Sequence, residues 1–344
     1  MIRVTGFCSD SSIHLMMEIQ IGVEFCFPQL NRSCRRPTPH WSEAVLLNIV
    51  LSFFSLITAV LNLLIIISVS YFRKLQKPAN ILILSLAVSD FLVGFLIIPF
   101  EIFRKTKCWI LGDITCLFYY YVSSVSICAS IGTIVLISAD RYVAICYPLH
   151  YPTRITLPRI KRCVCLCWSC AAFYVIFFLK DMLIQPGRSN SCIGECTMSV
   201  DYIVGTFDLF ISFLFPVTVI IVLYMRVFVV AVTQARAMYS HNRSVTLQHS
   251  VQQQTKKSEL KAARTLGVLV VAYLICFCPY YCCFYFIDSF TTTTYVSFLF
   301  LLMCLNSCLN PLIYAMFYPW FRKAVKHIVT LQILKRGSCE ANIL

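Results

Sequence analysis

Acidic side chains are scarce in this chain, 15 Asp and Glu in 344 residues, and they assemble no catalytic motif. There is no HExxH, no GxSxG and no acid pair beside a nucleophile, so an enzyme has no support. Internal repeats are lacking, and no symmetry between inverted halves is visible of the kind a transporter or ion channel would carry. The short alternating segments of a β-barrel are missing too. Residues 1–40 hold no compact apolar core of a cleavable signal peptide, so the first spanning helix is expected to act as the insertion signal. The 29 Lys and Arg leave a formal charge of +14, yet they sit between apolar runs and make no interleaved aromatic-basic face. That pattern excludes nucleic acid as a partner.

What is abundant is apolar: 59% of residues, 14% aromatic, with a mean hydropathy of +0.78. Runs near 44–70, 80–100, 114–139, 163–179, 203–232, 266–287 and 295–317 are each close to the roughly 20 residues that span a bilayer. They predict an all-α membrane protein, a seven-transmembrane helix bundle in the lipid bilayer. The chain divides into an outer N-tail (1–43), a seven-helix domain (44–318) and a tail (319–344). In that tail "YPWFRKAVKHIVTLQIL" reads as a short amphipathic eighth helix on the inner leaflet. With the N-terminus outside, the segments 71–78, 140–162, 226–264 and 318–344 carry 20 of the 29 Lys and Arg, as the positive-inside rule requires. The outer cluster "FRKTK" (103–107) runs against it. Asn31 in "NRS" fits an outer glycosylation acceptor, and Met17 would make an alternative start. Of the 20 cysteines, most lie in membrane runs as packing residues; Cys34, Cys116, Cys192 and Cys196 lie outside, where two disulfides could form.

Three polar groups stand inside the apolar runs. Asp208, in "GTFDLFISFLFPV", costs about 2.5–3.5 kcal/mol to insert, so it is expected to face a partner or a cavity. Asp90, with Ser130, Asn306, Ser307 and Asn310, offers the oxygen ligands that suit Na⁺, or else an interhelical hydrogen-bond network. Asp140 and Arg141 stand at the inner boundary, within reach of Glu259 at the start of the sixth helix, and such ion pairs make good latches.

Asn62, "LAVSD", Cys116, "DRY", Trp168, Pro216, Tyr224, "CFCP" and "NPLIY" resemble, in order and spacing, the rhodopsin-like G-protein-coupled receptors. "NSCLNPLIYAMFYPWFRKA" (306–324), "SCIGEC" and "FCFPQLNRSC" are similar to the trace amine-associated receptors. The resemblance implies disulfides Cys116–Cys196 and Cys34–Cys192, a plasma-membrane site, a small-amine ligand and a heterotrimeric G protein of the stimulatory or olfactory kind raising cyclic AMP. It also implies a switch of Asp140, Arg141, Tyr224, Asn310, Pro311 and Tyr314, with Glu259 releasing Arg141 on activation. No cofactor is implied beyond allosteric Na⁺.

Departures from the family pattern are equally informative. The family's aspartate on the third helix lies five turns, about 27 Å, outward of the DRY arginine, where this chain has Ser123. Cys304 stands for its Tyr partner, and Phe277 for the usual Trp. Asp208 lies at ligand depth, and some fish members similarly carry their acid on helix five. An ammonium 4 Å from that carboxylate is attracted by about 4 kcal/mol at an effective dielectric of 20. Ser123, Ser124 and Ile127 on the third helix, with Phe277, Tyr280, Tyr281, Phe284 and Cys304, complete the expected site, ring faces favouring cations. Glu101 is the rival anchor. A non-amine ligand donating to Asp208, or a receptor that has lost amine response, is the alternative.

Overall fold

The computed structural model describes residues 2–3, 25–36, 41–185, 187, 190, 192–241, 267–282, 293–335 and 338–340. Seven apolar helices form the body: α1 (Trp41–Tyr71), α2 (Pro78–Thr106), α3 (Gly112–Cys146), α4 (Leu157–Phe178), α5, α6 (Gly267–Cys282) and α7 (Thr293–Phe317). α5 runs as Tyr202–Asp208, Leu209–Leu214 and Phe215–His241, well beyond the apolar run. Six contain stretches long and apolar enough to cross a bilayer, and α6 is shorter within the described residues. Prolines open α2, α4 and the amphipathic α8 (Pro319–Val329), where the missing N–H would have no partner anyway. α8 buries Trp320, Phe321 and Ala324, and ends where Leu331 takes a left-handed conformation.

α3 is the central helix and packs on α2, α4 and α5, while α1 packs on α2 and α7. Large apolar residues such as Leu56, Phe95, Phe173 and Phe228 point outward and are exposed, as a lipid-facing perimeter requires. Polar side chains stitch the interior. The Asn62 amide donates to the Ser307 carbonyl at 3.1 Å, the Trp168 indole to Ser85 Oγ at 3.0 Å, and Ser85 meets Thr133 at 3.0 Å.

Two prolines explain the irregular turns. Pro99 and Pro216 each deprive the carbonyl four residues back, Phe95 and Ser212, of a partner, and a π turn precedes each, at Val93–Ile97 and Leu209–Leu214. At the first, Gly94 lies so close to α1 that an added Cβ would stand 2.6 Å from the Ala59 backbone nitrogen. Ser55 Oγ donates to the Gly94 carbonyl there at 2.6 Å.

Among the described residues three disulfides rather than two tie the outer face. Cys116–Cys196 and Cys34–Cys192 form as the family resemblance implied, with Cα atoms 5.7 and 5.0 Å apart. Cys26–Cys108, Cα atoms 5.6 Å apart, was not foreseen; it fastens the N-tail to the loop after α2. Backbone bonds from Cys34 N to the Ile193 carbonyl (2.9 Å) and from Ile193 N to the Arg32 carbonyl (2.7 Å) hold the tail against the α4–α5 loop. Asn31 stands exposed on that tail. Peptide mapping without reductant is expected to recover the Cys26–Cys108 pair. Replacing both residues with Ser should cost about 2–4 kcal/mol, read as a fall in Tm; an unchanged Tm would show that the bond restrains nothing.

Candidate functional site

Asp208 ends the first stretch of α5, immediately before the π turn. That turn adds a residue, offsetting the faces on its two sides by roughly 100° relative to a continuous helix. The half-buried carboxylate turns toward α3 and α4: its Oδ1 accepts from the Tyr174 hydroxyl and from Ser212 Oγ, both at 2.8 Å. Among the described residues it has no cationic partner. Cys128 of α3 and the Tyr280 and Tyr281 hydroxyls of α6 lie within its electrostatic reach. Tyr281 is buried and stacks on Phe213 with ring centroids 4.4 Å apart.

The expected ligand residues fall into two groups. Ile127, Phe277 and Cys304 line a cavity of about 40 Å³, shared with Asp90, Ser130, Asn306 and Ser307, whereas Asp208 lies outside that lining. Ser123 Oγ donates back to the Tyr119 carbonyl at 2.7 Å and so is engaged within its own helix. Ser124 is half-buried, and Phe284 lies outside the described residues. Tyr174, Ser212 and Cys128 were missed. Ser212 could have been found one helical turn after Asp208; Tyr174 comes from another helix, and no local pattern announces it.

Glu101 is already engaged. It is 2% exposed; Oε1 meets Arg104 at 2.7 Å and Lys105 at 3.2 Å, while Oε2 accepts from Arg104 Nε at 2.8 Å and Tyr119 at 2.7 Å. A carboxylate held this way is a poor rival anchor for a ligand cation.

Asp90, 1% exposed, accepts from Asn310 Nδ2 at 2.8 Å. Among the described residues the buried Oδ1 atoms of Asn306 and Asn310 have no hydrogen-bond partner, and Asn306 lines the same cavity as Asp90. At the inner end, Arg141 is held by its neighbour Asp140, with Nε 2.8 Å from Oδ2, and the Tyr151 hydroxyl donates to Oδ1 at 3.0 Å. Burial and the Asp140 charge hold the Tyr151 phenol above its ordinary pKa, so it stays a donor. Glu259, the expected partner of Arg141, lies outside the described residues. Among the described residues Tyr224 and Tyr314 bury hydroxyls that have no hydrogen-bond partner, and Pro311 lies inside α7, which continues through it to Phe317.

The family profile described as 7 transmembrane receptor (rhodopsin family) matches residues 61–314, so the bundle is that of a rhodopsin-family receptor. Trace amine-associated receptor 13c of Danio rerio is 36% identical over 334 residues, 93% of this chain and 96% of that receptor. Trace amine-associated receptor 7b of Rattus norvegicus is 36% identical over 93% of this chain and 92% of its own length, and receptor 7e of Mus musculus 37% over the same shares. The chain belongs to the trace amine-associated receptors, a family of multi-pass plasma-membrane receptors rather than enzymes.

Glu101→Gln would strand two half-buried cations without their carboxylate. The expected cost is about 3–5 kcal/mol, seen as reduced surface expression and a lower Tm. Wild-type stability would show that the cluster is solvated.

Proposed function

We propose that this receptor is activated by small amines whose ammonium is held by Asp208. One observation carries the reading: of the carboxylates inside the bundle, Glu101 and Asp140 are ion-paired, Asp90 is bound deep within by Asn310, and Asp208 alone combines ligand depth with no cationic partner among the described residues. Tyr174 and Ser212 fix one oxygen and leave the other to a cation. Tyr280 and Tyr281, on α6, are the aromatic side chains this reading sets against the ammonium. The names of the related receptors support an amine.

The amine shifts the population toward a state in which Arg141 leaves Asp140 and the inner ends of α5 and α6 admit a G protein, with cyclic AMP as the output. Na⁺, held by Asp90, Ser130, Asn306, Ser307 and Asn310, favours the resting state; the orphaned asparagine oxygens fit such an ion, and oxygen ligands are what it prefers.

Cyclic AMP in cells titrated with primary, tertiary and di-amines tests this. Asp208→Asn should lose at least tenfold in potency and Asp208→Glu less, while Tyr174→Phe should lose a few-fold by loosening the carboxylate. Equal responses of Asp208→Asn and wild type would place the ammonium elsewhere. Removing sodium should raise amine potency in the wild type and leave Asp90→Asn unmoved; equal sodium dependence in both would sink the ion site.

A further inference from the structure

The outer tail carries a chemistry that the ligand reading does not use. The tripeptide Asn-Arg-Ser occurs twice in the chain, at 31–33 on the outer tail and at 242–244 in the inner α5–α6 connection, so only the first meets the compartment where N-linked sugars are added. Asn31 itself is exposed, but its neighbours in the acceptor triplet are engaged. Ser33 Oγ, the hydroxyl that makes the triplet an acceptor, accepts from the Phe27 N–H at 2.7 Å, and Ser33 N donates to the Leu30 carbonyl at 3.2 Å. The Arg32 carbonyl accepts from Ile193 N at 2.7 Å.

These bonds close a small hairpin. Cys26 N donates to the Cys34 carbonyl at 2.8 Å, Phe25 pairs antiparallel with Arg35, and Ser33 pairs with Ile193 of the α4–α5 loop. A two-stranded hairpin alone is marginal in water, so what keeps this one shut is its attachment to that loop. Cys34, directly after the triplet, is buried and joined to Cys192, 158 residues further along the chain. At about 5–20 residues per second, synthesis needs roughly 8–30 s to pass from one cysteine to the other. Throughout that interval the tail has neither Cys192 nor Ile193 to hold it.

We infer that Asn31 is a glycosylation site open only to the unfinished chain: the sugar is transferred before Cys34 reaches Cys192, and the closed tail no longer serves as an acceptor. In the transfer the Asn31 amide nitrogen bonds to the anomeric carbon of a lipid-linked oligosaccharide. The bond from that carbon to the lipid pyrophosphate breaks, and the amide gives up one proton. The transferase must take the Ser33 hydroxyl from Phe27 and draw the triplet away from Ile193, which the disulfide beside it prevents. The inference is independent of the ligand proposed above.

Full-length receptor made without glycan, with Asn242→Gln so that Asn31 is the one triplet left, would be placed in nanodiscs with purified oligosaccharyltransferase and a lipid-linked oligosaccharide. Transfer is read from the mass of the Asn31 peptide. The oxidised receptor should accept at least tenfold more slowly than a Cys34→Ser/Cys192→Ser variant, and Ser33→Ala in that variant should abolish acceptance. A peptide map showing Cys116–Cys196 intact checks that the variant is folded. Should it not fold, wild-type receptor in cells decides: transfer blocked during synthesis by a reversible inhibitor should leave Asn31 bare after the inhibitor is washed out. Equal rates for the oxidised receptor and the folded variant, no transfer to either, or a glycan gained after wash-out by receptor whose Cys34–Cys192 bond has closed would each overturn the inference.

Discussion

A carboxylate inside a bundle of apolar helices has to be answered, and the different answers organise this molecule. Water is not available at the bundle centre, so a bare charge there costs several kcal/mol and is offset by a cation, a set of hydrogen bonds or a ligand. Glu101 is answered by Arg104, Lys105 and Tyr119, which lock the outer ends of α2 and α3 together. Asp140 is answered by Arg141 and Tyr151, at the inner end of α3. Asp90 is answered by Asn310, and this joins α2 to α7. Asp208 receives two neutral donors, Tyr174 and Ser212, which orient the carboxylate without neutralising it. Asp90 and Asp208 both lack a cation among the described residues, and depth separates them: Asp90 lies deep within the bundle against α7, Asp208 eight residues before Pro216 on α5.

Backbone irregularity places that acid. A helix as apolar as α5 could present Asp208 to lipid, where nothing would offset its charge. Pro216 removes the N–H that the Ser212 carbonyl would use, and the resulting π turn re-aims the preceding stretch so that Asp208 meets Tyr174. Ser212 lies inside the same turn and bonds back to Asp208, so a proline, a hydroxyl and a carboxylate in nine residues act as one device. Pro99 does similar work in α2, where Gly94 lets α1 approach the π turn.

Much of this was legible in the sequence, and the limit has a physical basis. Helices written in runs of apolar residues could be read directly, because bilayer thickness sets their length; they overshoot the runs at their ends, as at Trp41 and Cys146, where polar residues continue the same backbone pattern. Contacts within one helix were readable too: "EIFRK" places two cations three and four residues after Glu101, on one face. Contacts between helices were not. Tyr174 against Asp208 and Tyr151 against Asp140 depend on packing angles that no local spacing encodes. Cys26 and Cys108 escaped for a related reason, since pairing across the fold is fixed by where the tail lies rather than by the cysteines themselves.

The central cavity shows why the two groups of ligand-facing residues need not act separately. At about 40 Å³ it admits an ion with a few waters but is far below the roughly 300–1,000 Å³ of a site that encloses a small molecule. An organic ligand can therefore enter from the Asp208 side only if side chains between the two regions move. Phe277 is the side chain in that position: it lines the cavity beside Asp90's neighbours, and its ring lies 4.7 Å from that of Tyr273 in the core that also holds Tyr281 and Phe213. A displacement of Phe277 would alter the wall of the Asp90 cavity and the packing of α6 in one movement. A close-packed core resists partial displacement, so the aromatic layer is better suited to two arrangements than to a continuum, and a ligand that binds one of them more tightly shifts the other helices with it.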